Sequence, residues 1–564
     1  MLLEQAGSPG PEPTQPEPKV GRAHELASIS SLPPEVLARI FRFTQQFRKS
    51  RRPLRWVKQT TQICSFWRHV ALSDPHLWTY LPLLHRPHQR HFYDVCMKRS
   101  NLLGVTFEIL LGKRFVAPLV RPEQDILNFL TDNASRIEGL VLFSGTPYVF
   151  RRLLMETSDL RLPFLKRVEF VTWTSMTSTV DNESEELCPA YYMRRLVGSL
   201  HGLEELILSC PPRWKFDELK NLVYLKVHNR GSFDRPVRNT FMLALEQIGP
   251  KLQYLCLTDT VLPGVLNCHP RVDPVNLPRL QQLHISDNIL ELTDFLRSIA
   301  FPDTTHLNLV CKSNSIDELS SAINEARSSI FRIERSWIRS MQIILSRMGS
   351  TRSMTFEAWP FVTKHSEYIK HLTVPDHTPL MSLRLVWQGA GFAFSSEIHN
   401  VMQEVIGSLP SEHLQSLALV SKVETAQSTL TPSVLVETFG QLPHLCSMFV
   451  KGIFLEPCIH ALVPRVDDLS ETMGKGRVPF SALRHLHLED DLVYPDDGAL
   501  THSQKIPRYH PNTLVETLAE NLDLRLDQDA GIDSLILENC FFLVEEDVEL
   551  LQYLVDVVFK RTGL

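Results

Sequence analysis

The 564-residue chain is poor in the short motifs that mark common chemistries. It has no Gly-x-Ser-x-Gly, no His-Glu-x-x-His and no clustered Cys/His pattern, so neither a hydrolase site nor a ring-type zinc domain can be argued. Its ten cysteines (64, 96, 188, 210, 256, 268, 311, 446, 458 and 540) form no Cys-x-x-Cys pair and no dense framework, which fits a reducing compartment. No apolar run approaches the roughly 20 residues that a bilayer-spanning helix needs. Basic excess is missing too. Lys and Arg number 58 against 64 Asp and Glu, a net charge of -6, and the isoelectric point is near 6.4. That balance argues against a nucleic-acid surface. The expectation is an intracellular protein, cytoplasmic and/or nuclear, with no nucleic-acid or membrane partner, no metal and no cofactor.

What is present is the composition of a globular protein, 43% hydrophobic and 22% charged. Residues 1–28 (AGSPGPEPTQPEPK within them) lack apolar residues in number and read as a disordered leader. Three features invite chemistry and fail. His85, His88 and His91 sit beside Arg86 and Arg90, and on one helix the third histidine lies about 240° from the first. GAG at 389–391 has Phe394 where a dinucleotide fingerprint needs glycine. RKSRR at 48–52 reads as a solvated basic loop.

The stretch LPPEVLARIF at 32–41 stands out. Ser30 and Ser31 can cap a helix, and Pro34 and Glu35 suit its first turn. Val36, Leu37, Ile40, Phe41 and Phe43 give it a wide apolar face. QICSFWRHVALSDPHLW at 62–78 follows, with Thr60, Ile63, Cys64, Trp67, Val70 and Ala71 at helical spacing. Two short helices cannot shelter so much apolar surface, so the excess predicts a docking face. These residues resemble the F-box: Leu32-Pro33, Glu35, Val36-Leu37, Ile40-Phe41, then Ile63-Cys64, Trp67-Arg68, Pro75 and Leu77-Trp78. The resemblance covers about 50 residues, 29–80, and departs from a minimal F-box in the basic insert QQFRKSRRPLR at 45–55. A linker helix is expected over 81–100.

From about residue 100 a phrase recurs, an apolar residue, two others, then apolar-x-apolar. RIEGLVLF at 136 is the first and GIDSLILE at 531 the last of twelve, with strand marks at 142, 170, 208, 227, 257, 285, 309, 385, 419, 450, 488 and 537. The alternation is the period of a strand. Most marks are separated by about 20 to 40 residues, the leucine-rich-repeat scale and somewhat above it. Between 309 and 385 the gap leaves room for a further unit at SMTFEAW (353). Helical segments lie between several phrases, among them AYYMRRLVGSL, NTFMLALEQIG, ELTDFLRSIA, SSEIHNVMQEVIGSL, TPSVLVETFGQL and NTLVETLAENL. Residues 101–564 thus resemble an irregular leucine-rich-repeat solenoid with a parallel inner sheet, although the usual Asn or Cys after the strand is met only at Asn288 and Cys540. A double-length helical segment is expected at 315–348, a long polar loop at 456–479, and a capping segment at FFLVEEDVELLQYLVDVVF. The fold class expected is α/β, a short all-α F-box followed by the solenoid.

The two resemblances imply the substrate-receptor subunit of a Skp-cullin-F-box ubiquitin ligase. The chain would be a non-catalytic adaptor, with partners in the Skp adaptor, through it cullin, and an unidentified protein substrate. Leu32, Pro33, Glu35, Val36, Leu37, Ile40 and Phe41 would bind the Skp adaptor. The alternative is an F-box scaffold that binds the Skp adaptor without cullin. Residues lying between the buried strand positions face the other side of the sheet. Aligning the phrases puts Tyr224, Tyr254, Gln282 and His306 in one column and Lys226, Cys256, His284 and Asn308 in the next. Tyr224, Lys226, Tyr254, Gln282, His284 and His306 are the candidate substrate contacts.

Overall fold

The computed structural model describes residues 32–47, 59–83, 90–111, 128–144, 162–172, 202–209, 219–228, 238–260, 273–313, 323, 338–348, 350–362, 378–388, 395–422, 431–463, 478–490, 511–540 and 543–560. The leader at 1–28, the RKSRR and GAG stretches, the helix expected at 190–200 and most of the loop at 456–479 lie outside them. The chain divides into two compact units, 1–110 and 111–564.

The first unit begins with helix α1 (Pro34–Phe47), whose Glu35 favours the first turn. Its inward stripe, Leu37 and Phe41, is one turn apart and buried. Helix α2 (Ser65–Ser73) is capped by Cys64, whose sulfur accepts from the Trp67 amide at 3.4 Å. The Phe41 and Trp67 rings meet at 5.0 Å. Arg42 then forks onto Asp74 at 2.7 and 2.8 Å, and Asp74 also accepts from the His76 amide, starting the tight turn Pro75–Trp78. A bidentate pair with one buried carboxylate fixes the angle between segments 32 residues apart in sequence. Trp78 is buried, donating to the Ala71 carbonyl at 3.0 Å with the Arg99 guanidinium over its ring.

This unit is not helical alone. Strand β1 (Tyr80–Leu83) pairs in parallel with β2 (Val105–Leu111), and between them lies α3 (Arg90–Arg99). The segment expected as a linker helix over 81–100 is therefore part strand, and the unit reaches ten residues beyond it.

In the second unit the recurring phrases all fall on strands. β3 (Ile137–Ser144), β4 (Arg167–Thr172), β5 (Glu205–Leu208), β6 (Tyr224–His228) and β7 (Tyr254–Thr258) pair successively in parallel. The two-residue β8 (Val275–Asn276) and β10 (Ile299–Ala300) pair with each other. β9 (Gln282–Asn288) continues the main sheet from β7, and β11 (His306–Ser313) follows β9.

One local device repeats. A turn closes from an amide to the carbonyl three residues back, as at Leu222 (3.0 Å), Leu252 (3.2 Å), Leu280 (3.2 Å), Leu414 (3.0 Å) and Leu483 (2.9 Å). Each of these leucines is buried. The next two amides both donate to one carbonyl of the neighbouring unit: Val223 and Tyr224 to Glu204, Gln253 and Tyr254 to Val223, Gln281 and Gln282 to Gln253, Cys446 and Ser447 to Gln415. Strand residues then alternate, with Leu206, Leu225, Leu255 and Leu283 on the core face, followed by Leu208, Val227, Leu257 and Ile285. Fully burying one such side chain contributes about 1.5–3 kcal/mol. Of the two residues expected after a strand, Cys540 donates its thiol to the Leu488 carbonyl at 3.5 Å, whereas Asn288 caps the helix that follows it.

Sequential order breaks at the wide gap. β12 (Ser340–Met348) and β13 (Thr351–Trp359) form an antiparallel hairpin, and β13 is also antiparallel to β14 (Met381–Gln388). β14 lies parallel beside β11, while β12 lies parallel beside β15 (Ser416–Lys422). The spatial order is β11, β14, β13, β12, β15. The helical expectation for 315–348 is thus wrong over 340–348. Met341, Ile344, Leu345 and Met348 satisfy a helical period as well as Met341, Ile343 and Leu345 satisfy a strand period, and the sheet takes the second. β16 (Ser447–Lys451), β17 (His485–Glu489), β18 (Ser534–Glu538) and β19 (Asp556–Lys560) complete the run in parallel. The fold is α/β with a large, mostly parallel sheet.

Helices α4 (Arg238–Ile248), α5 (Ile289–Arg297), α6 (Ser395–Ser408), α7 (Pro432–Phe439), α8 (Leu455–Ala461), α9 (Pro511–Asp527) and α10 (Glu545–Gln552) connect strands. From α6 to α10 each helix packs on the next. α8 occupies the start of the expected polar loop at 456–479, because Leu455, Cys458 and Ile459 supply a buried stripe. Arg525 of α9 is fully buried and donates to the carbonyls of Leu462 (3.2 Å), Pro479 (2.7 Å) and Phe480 (2.8 Å). Burial pushes its guanidinium down to about 10, so it stays cationic at neutral pH. Replacing Arg525 with Leu leaves three buried acceptors without their donor, and the unfolding free energy should fall by about 3 kcal/mol in urea denaturation. An unchanged midpoint would mean that the backbone there is satisfied otherwise.

Candidate functional site

The core face of the sheet is mostly apolar, with buried Asp287 and Arg352 toward the ends of their strands, and the candidate contacts lie on the opposite face. On β5, β6 and β18 burial alternates strictly, leaving that face open. On β15, β16 and β17 it does not: Ala418, Val420 and Phe449 on the second face are buried with Trp359 and Ile344. Open surface therefore lies over β4–β11 and again at β18.

There the parallel register aligns Tyr224 with Tyr254, Tyr254 with Gln282, and Gln282 with His306. One step along, Lys226, Cys256, His284 and Asn308 align in the same way. The six candidate substrate contacts stand on one face. They are not equivalent. The Tyr224 and Tyr254 rings stack with centroids 4.1 Å apart and planes 3° from parallel. Burial raises both phenols, so both remain protonated donors. Gln282 and Asn308 are exposed, and Lys226 is half-buried. His306 is drawn to structure, its Nδ1 lying 3.1 Å from the Pro379 carbonyl.

The second column carries suppressed chemistry. Cys256 is buried and its thiol pushed up, chiefly by burial. His284 is held below its ordinary value by burial and then by Lys226, against a hydrogen bond to Asn308. A protonated thiol beside a neutral imidazole suits contact more than nucleophilic attack. Among the described residues no group of three or more His, Cys, Asp or Glu is placed to hold a metal ion, and no helix is long and apolar enough to cross a membrane.

Reasoning from sequence missed the rim beside the tyrosines. A depression of roughly 250 Å³ is lined by Glu204, Glu205, Val223, Tyr224, Gln253, Tyr254, Gln281 and Gln282. Apart from Glu205, the missed residues each precede a strand by one position, where the doubly donating turn holds them at the sheet's edge. The signal was in the phrases: GLEELIL, KLQYLCL and RLQQLHI put polar residues between the leading leucine and the strand.

In the first unit the candidate set splits. Pro33, Glu35, Val36 and Ile40 are exposed and Leu32 is half-buried, but Leu37 and Phe41 are core. The expectation that those two residues face a partner is corrected, because α2 and the turn after it claim the stripe on which they lie. The exposed apolar set is instead Val36 (43%), Ile40 (38%), Phe43 (59%) and Ile63 (59%), with Phe43 and Ile63 outside the expected contacts. Comparison with the known family models and with curated proteins finds no match in either.

Toward the other end of the sheet the same face holds a charged row, Lys451, Glu489, Glu538 and Lys560, in consecutive register. Lys451 meets Glu489 at 2.8 Å, and His487 Nε2 lies 3.2 Å from Glu538. Burial and then the charge of Lys560, which stands opposite Glu538, push His487 down to about 4. Because this value lies below the unfolded 6.5, the unfolded chain takes the proton first as pH falls. His487 therefore costs up to roughly 3 kcal/mol of stability between pH 6.5 and 4. His487→Gln should show a shallower loss of melting temperature across that window than the parent. Parallel pH profiles would contradict the assignment.

Proposed function

We propose that the chain is the substrate-receptor subunit of a Skp-cullin-F-box ubiquitin ligase, with an F-box in its first unit and a leucine-rich-repeat solenoid in its second. One observation carries the reading. α1 turns Leu37 and Phe41 inward and still presents Val36, Ile40 and Phe43, with Ile63 from the following turn, to the outside. A helix apolar on both sides has one stripe more than its own fold uses, which is the arrangement of a helix that docks on a partner. The motif residues that support the resemblance, Leu32-Pro33 through Leu77-Trp78, build this same element.

In the proposed role the Skp adaptor covers the outer stripe of α1 and links to cullin, while the open face over β4–β11 holds the protein substrate. Catalysis is then proximity, a raised effective concentration of substrate near a ubiquitin-loaded enzyme, and no residue of this chain makes or breaks a bond. Supporting the second half of the reading are the recurring turn and leucine of each unit and an open face rich in tyrosine and polar side chains.

Val36→Asp with Ile40→Asp places two charges on the outer stripe and should abolish recovery of the Skp adaptor in pull-down, with the melting temperature within a few degrees of the parent. Leu37→Asp, by contrast, should unfold the first unit. Undiminished adaptor recovery by the folded double variant would refute the docking surface.

A further inference from the structure

The depression beside the tyrosine pair is more specific than an open sheet face. Its lining contributes two carboxylates, Glu204 and Glu205, three side-chain amides and two phenols, but no cation. The aromatic floor is preassembled: stacking at 4.1 Å locks both rings, so a ligand meeting them orders little further. The carboxylates come from one strand earlier, since Glu205 aligns directly with Tyr224.

A neighbouring cation shows the chemistry this corner prefers. Arg167, aligned with Glu205 on the preceding strand, lies 3.3 Å from Glu205 and 3.0 Å from Glu169. It spans two carboxylates, which leaves Glu204, exposed at the rim, as the outer anchor. A planar group carrying positive charge and several N–H donors fits what remains. It can lie against a tyrosine face, fork onto a carboxylate, and donate to the glutamine carbonyls.

We infer that this depression receives an arginine side chain of a partner protein, presented on an extended segment. The inference rests on the proposed receptor role, for which it names the substrate's chemistry. Lysine fits less well, because a compact ammonium cannot stack on a ring while forking onto Glu204. An acidic segment is excluded by the two carboxylates. Specificity comes from the rim and contact area from the rings.

The test uses full-length protein and three capped pentapeptides, Gly-Gly-X-Gly-Gly, in which X is arginine, its uncharged isostere citrulline, or glutamate. Saturation-transfer NMR reads each peptide directly. Transfer to the arginine side chain is expected, falling at least about five-fold for citrulline and absent for glutamate. Glu204→Gln should weaken the arginine signal, Tyr254→Leu should remove most of it, and raising salt from about 0.1 to 0.5 M should reduce it. Glu412→Gln, on an exposed glutamate of the turn Ser411–His413, serves as the surface control and should leave it unchanged. Equal signals from all three peptides, no signal from arginine, or full signal in both Glu204→Gln and Tyr254→Leu would overturn the inference. Adaptor recovery from the same samples separates the two claims. Arginine binding without the Skp adaptor defeats the receptor reading and leaves the site standing, while the adaptor without arginine binding does the reverse.

Discussion

The double hydrogen bond at the entry of β5, β6, β7, β9, β15, β16, β17 and β18 is the constraint on which the second unit depends. Two successive amides converge on one carbonyl of the unit before, so neither the turn nor the strand can slide by a residue without losing both. A one-residue slip would also turn every buried leucine to the opposite face. Register is thereby over-determined, and the columns on the open face follow from it. Tyr224 stacks on Tyr254 because the backbone puts them side by side; the rings then add aromatic contact to an alignment already made.

The first unit solves a different problem with one helix. In the proposed role α1 buries enough to hold a small module and exposes enough to be recognised. Residues four apart, Leu37 and Phe41, serve the module together with the Arg42–Asp74 fork and the buried Trp78. Their neighbours one position back, Val36 and Ile40, form the outer stripe.

Much of this was legible in the sequence because leucines at fixed spacing constrain both core and register. Twelve phrases became strands, and their alignment put the tyrosine and lysine columns together. What was not legible depended on competition between periods or between faces. Ser340–Met348 satisfies helix and strand alike, and pairing with β13 on one side and β15 on the other decides. β1 and β2 escaped because YLPL is short and carries a proline, and because VTFEILL, although Leu102 leads it at the phrase's spacing, ends in the unalternating run Ile109-Leu110-Leu111. On α1 two apolar stripes are adjacent, and sequence cannot say which one the second helix takes. The acidic rim was hidden for a similar reason, since Glu204 and Glu205 look like ordinary turn residues until Tyr224 is set beside them.

The central claim is that the outer stripe of the first unit joins this chain to a Skp adaptor and, through it, to cullin. Mixing the purified full-length chain with a Skp adaptor and a cullin, and weighing the assembly by light scattering after size exclusion, tests it most directly. A single 1:1:1 species that disappears with Val36→Asp and Ile40→Asp is the expected result. An adaptor that binds while cullin stays free would make the chain a scaffold, and an adaptor that does not bind at all would contradict the account.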